Sequence, residues 1–126
     1  MKLKNLLKVS LVLIAILSLN TSFSQVAKTA KIGDNKSIQK SKEIGEFTFS
    51  VSGLSSEQVM KSASYYPLYF TAQYSEKTEE LSIKMVQSDA QSRRIILRFF
   101  SALDIQHIES EGKTYMCGDF YSNFLQ

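Results

Sequence analysis

The softest donor atoms of the chain gather near its end: the imidazole of His107, the thioether of Met116 and the thiol of Cys117. Nitrogen and sulfur ligands of this kind suit Cu(I) or Zn(II). Ile105 to Ile108 and Lys113 to Cys117 read as two strands joined by a Ser110-Glu111-Gly112 turn. Pairing around Glu111-Gly112 puts His107 near Tyr115 and diagonal to Cys117, an arrangement that offers two or three ligands to a metal. Register decides the matter, because a slip of one residue sends the side chains to opposite faces. The alternative is a strand histidine at the surface and a buried cysteine serving as a small apolar residue. Cys117 is the only cysteine. It forms no disulfide within the chain, and a bond between two chains is a third use for it.

Other reactive groups are scattered. Arg93, Arg94 and Arg98 form a basic patch on a predicted helix, with Arg94 and Arg98 one turn apart. An anion, an acidic partner or plain solvation would each account for it. Glu76, Glu79 and Glu80 crowd a charged turn, where solubility explains them. One histidine and one cysteine, with no Ser, His and Asp at a suitable spacing, make no nucleophile–base set. No Gly-rich phosphate loop follows a strand. The expectation is a protein that is not an enzyme, with no catalytic residue and no cofactor.

The elements that must position these groups are legible from periodicity. Phe47, Phe49 and Val51 alternate with polar residues and predict a strand over Glu46–Val51. Ser55 and Gln58 form a capping box, with Leu54 and Val59 placed as a hydrophobic staple. The helix they open carries Val59, Ala63 and Tyr66 on one side and stops before Pro67. Leu68 to Tyr74 and Leu81 to Met85 predict a hairpin across the turn Ser75–Glu80. A second capping box, Ser88 and Gln91, opens a helix whose apolar face is Ile95, Ile96, Phe99, Phe100 and Leu103. The order is β-α-β-β-α-β with a C-terminal strand extension. It predicts an α+β, ferredoxin-like sandwich, with both helices on one face of a four-stranded antiparallel sheet.

The stretch Phe49-Ser50-Val51-Ser52-Gly53-Leu54-Ser55-Ser56-Glu57-Gln58-Val59 resembles the heavy-metal-associated domain of copper chaperones and metal-transporting ATPases. Members of that family carry a strand, then Gly-Met-x-Cys-x-x-Cys, then the first helix. Here Gly53-Leu54 stands at Gly-Met, and the two cysteine positions fall on Ser56 and Val59. The resemblance runs from about Glu46 to Ile108. It implies a compact module that docks on other proteins and a family metal site that has been lost.

The first residues address the chain for export. Lys2, Lys4 and Lys8 precede the apolar run Val9 to Leu19, and small Ser22 and Ser24 follow. This pattern predicts a cleaved signal peptide over 1–24 and a mature start at Gln25. The run is shorter than the roughly 18 to 20 residues that span a bilayer, so no transmembrane span is expected after cleavage. The full chain carries 15 Lys+Arg against 12 Asp+Glu. Three lysines leave with the leader, and the neutral remainder gives no reason to expect nucleic acid as a partner. Residues 25–44 are polar, lysine-rich and without period, and predict a flexible basic arm ahead of a domain over 45–126. The reading is a periplasmic or secreted non-catalytic domain with a protein partner in the cell envelope. The alternative is a soft-metal handling protein that uses His107, Met116 and Cys117.

Overall fold

The structure is a computed structural model and describes residues 27–126. The expected signal peptide lies outside the described residues. In chain order the elements are β1 (Lys28–Lys31), α1 (Asn35–Ile44), β2 (Glu46–Ser50), α2 (Ser56–Ala63), β3 (Phe70–Ser75), β4 (Glu80–Met85), α3 (Ala90–Ala102), β5 (Ile105–Ser110), β6 (Lys113–Met116) and α4 (Cys117–Phe120), which continues as a π-helical turn over Tyr121–Leu125. The architecture is mixed α and β. The six strands form one sheet in the order β3-β4-β2-β1-β5-β6.

Two expectations are corrected here. The sheet is neither four-stranded nor wholly antiparallel. Strand β1 enters between β2 and β5, antiparallel to the first and parallel to the second. Residues 28–44 are therefore no flexible arm, and the folded unit begins at β1 rather than at Gly45. Periodicity was silent there for a physical reason. Only Ala30 and Ile38 in this stretch are fully buried, and one apolar residue per element makes no pattern. What holds β1 is backbone pairing on both sides. What holds α1 is its ends: Asp34 accepts from the Ser37 amide at 2.8 Å, and Gly45, at φ 73°, closes the helix in the left-handed region.

Apolar alternation places the rest of the core. Phe47, Phe49, Phe70, Leu81 and Ile83 from the sheet meet Ile96, Phe99, Phe100 and Leu103 from α3, all almost wholly buried. Phe49 stands edge-on to Phe100 with ring centroids 5.0 Å apart, and Phe70 tilts against Phe99 at 5.1 Å. Each such ring withdraws enough apolar surface to contribute roughly 1.5 to 3 kcal/mol. The C-terminal segment adds Phe120 and Leu125 to the same core. On the opposite face of β2, β4 and β3, Thr48, Thr71, Gln73, Ser82 and Lys84 are exposed.

Several boundaries move. Helix α2 ends at Ala63, before Tyr66, and β3 begins at Phe70, leaving Leu68 exposed. Asp89, rather than Ser88, caps α3, accepting from the Ser92 amide at 2.7 Å. Its carboxyl is held below the usual range by that hydrogen bond. Ser55 caps α2 as expected, accepting from the Gln58 amide at 3.1 Å.

Candidate functional site

Strands β5 and β6 fix the register around the soft ligands. His107 pairs with Met116, and Ile108 with Tyr115, one residue away from the expected match. His107 and Met116 therefore sit opposite each other, and Thr29 of β1 pairs with His107 on its other side. Cys117 is not part of this pair. It opens α4, packs against the core and donates its thiol to the Ile105 carbonyl at 3.5 Å. Burial pushes that thiol up to about 11, so at neutral pH it holds its proton. Among the described residues, no three His, Cys, Asp or Glu side chains stand together as a metal site.

The segment that resembles a heavy-metal-associated loop performs structural tasks. Ser56 donates its hydroxyl to the Tyr74 carbonyl at 3.0 Å, and its amide to Glu76 Oε1 at 3.0 Å. Val59 is fully buried. Both positions are used in holding α2 against strand β3.

The basic patch divides. Arg93 is 7% exposed. Its Nε donates to the Leu125 carbonyl at 2.6 Å and its Nη1 to Ser88 Oγ at 3.2 Å. Ser88 in turn donates to the Lys42 carbonyl at the end of α1. Arg93 is thus a clamp between α3, the C-terminal segment and α1. The sequence held a sign of this: Arg93, Ile96 and Phe100 share one helical stripe. Arg94 and Arg98 remain exposed and line a groove of ≈ 770 Å³ between α3 and the C-terminal segment.

A feature that periodicity missed lies at one end of the sheet. Tyr65 is 72% exposed, Leu68 82% and Val86 68%, with Tyr69 and Ile44 also open to solvent. Ile44, Tyr69 and Val86 stand at the ends of three neighbouring strands, with Leu68 next to Tyr69 and Tyr65 in the turn after α2. Val86, just past β4, donates to the Tyr69 carbonyl at 2.9 Å, and Met85 donates to the carbonyl of Gly45, next to Ile44. Met60 on α2 is also exposed.

No family model, curated protein or solved structure matches the chain.

The apolar end therefore stands on its own geometry, and that geometry is firm. Tyr66 accepts from the amides of Tyr69 at 3.1 Å and Phe70 at 3.2 Å, and its own amide reaches the Ala63 carbonyl at 2.9 Å. Its ring stacks on Phe70 at 5.8 Å. The loop presents Tyr65 and Leu68 from a fixed backbone. The signal available in the sequence was Tyr65-Tyr66-Pro67-Leu68-Tyr69-Phe70 itself: so many bulky side chains in a row, broken by a proline, cannot all turn to one core. No helix among the described residues is long and apolar enough to cross a membrane.

Proposed function

We propose that this chain is an exported, non-catalytic module that binds a protein partner in the cell envelope through the apolar end built by Ile44, Tyr65, Leu68, Tyr69 and Val86. The observation that carries the reading is their exposure on an ordered loop and strand ends. Clustered large apolar side chains on a surface favour association, and tyrosines contribute contact area at little entropic cost. The run from β2 to β5, with β1 as an inserted strand, supports a ferredoxin-like β-α-β-β-α-β ancestry. The likeness to heavy-metal-associated domains enters as shape alone, since Ser56 and Val59 serve packing.

The test is affinity capture of the mature protein from its own envelope, comparing wild type with Tyr65→Ser/Leu68→Ser. The expected result is a stoichiometric partner retained by wild type and lost by the variant. An identical set of captured proteins from both would refute the reading. A second reading, soft-metal handling, is favoured only by the His107–Met116 pair. Metal content measured on the same samples decides it: copper or zinc that departs in His107→Ala would promote that reading.

A further inference from the structure

The groove between α3 and the C-terminal segment shares no residue with the apolar end, and what it implies does not depend on that surface. Its walls include Gln91, Arg94, Ile95 and Arg98 on one side and Gly118 and Ser122 on the other. Neither Arg94 nor Arg98 has a carboxylate within salt-bridge reach among the described residues, where the one ion pair is Lys31–Glu109. Their neighbour Arg93 is committed inward, whereas Arg94 and Arg98 line the groove.

Gly118 adds an independent sign. It is the second residue of the short helix α4 and has no positive φ. A Cβ placed there would meet nothing within 4 Å. The groove wall is therefore open at this point, with room for a ligand to approach the backbone. The backbone beside it is a π-helical turn, Tyr121–Leu125. The turn is fixed in place, since the Tyr121 hydroxyl donates to the Ala90 carbonyl at 3.0 Å.

We propose that this groove holds an acidic peptide segment of a protein partner, with carboxylates paired to Arg94 and Arg98. The span from Gln91 to Arg98 is about 10 Å along the helix axis, long enough for several residues of peptide. Arginine binds carboxylates through two parallel N–H donors. The same wall also carries Ile95 and Leu97. Those side chains suit the methylenes of a peptide.

The test uses the mature protein and a fluorescein-labelled synthetic peptide of alternating Glu and Leu, read by anisotropy. Arg94→Ala/Arg98→Ala should weaken binding at least tenfold. Gly118→Leu, which fills the groove and keeps the charges, should weaken it comparably. Lys40→Ala/Lys113→Ala, which removes the same charge elsewhere, should leave it unchanged. Circular dichroism confirms that each variant is folded, and the exposed arginines keep the test open if Gly118→Leu is not. Equal weakening by the lysine control, full binding by a folded Gly118→Leu, or displacement by millimolar inorganic phosphate would each overturn the proposal. So would arginine-dependent binding to phosphatidylglycerol vesicles in place of the peptide.

Discussion

The guanidinium of Arg93 meets the Leu125 carbonyl at 2.6 Å, so one charged side chain on α3 anchors the last residues of the chain. Replacing it with methionine keeps much of the volume and removes every donor. The buried Leu125 carbonyl and Ser88 hydroxyl then lose their charged partner. Arg93→Met should cost about 2 to 4 kcal/mol in urea unfolding. A loss below about 1 kcal/mol would mean that Phe120 and Leu125 hold the segment by packing alone.

Strand β1 offers a sharper contrast. Ala30 is fully buried, while Lys36 on α1 is exposed. Ala30→Asp puts an unpaired carboxylate among apolar neighbours and should unfold a domain whose whole stability is about 5 to 15 kcal/mol. Lys36→Ala should change stability by no more than about 0.5 kcal/mol. Thermal melts that treated the two alike would restore the flexible arm.

Phe100 is fully buried and edge-on to Phe49. Phe100→Ala should cost on the order of 3 to 5 kcal/mol. Denaturant titration measures it directly, and a loss near zero would place α3 the wrong way round on the sheet.

The Cys117 thiol ionises at about 11 against an ordinary 9.0, with burial as the cause. In the folded protein, alkylation by iodoacetamide should be slow at pH 8 and accelerate only toward pH 11. The unfolded chain ionises first, so the thiol's contribution to stability is complete below pH 9 and fades as pH rises between those values. Cys117→Ser should flatten that part of the stability profile. Rapid alkylation of the native protein at pH 8 would contradict the thiol's packed environment.

Processing is tested by intact mass of the exported protein. The expected N-terminus is Gln25, a few residues before β1 begins at Lys28. A mass that retains residues 1–24 would remove the export reading.

What was legible in the sequence follows from how each element is stabilised. Strands β2 and β4 and helix α3 bury several side chains each, so Phe47, Phe49, Ile83, Phe99 and Phe100 announced their faces. Strand β1 and helix α1 bury Ala30 and Ile38 and otherwise rest on backbone hydrogen bonds and caps, which leave little trace in hydropathy. The site divided in the same way. Register between β5 and β6 was one residue off: the two-residue turn Glu111-Gly112 pairs Ser110 with Lys113 and so sets His107 opposite Met116 rather than Tyr115. The inward role of Arg93 was hidden by its charge, although its helical position was readable. The apolar end was missed because Leu68 was assigned to the inner face of a strand that starts two residues later.

The placement of β1 also sets a timetable. It is the first strand among the described residues, yet one of its two partners, β5, is among the last to be made. Its central seat in the sheet stays vacant until Ile105–Ser110 has arrived. Closing that long loop is slow and comes late. Until then the sheet stays open at its middle, between β2 and the place of β5.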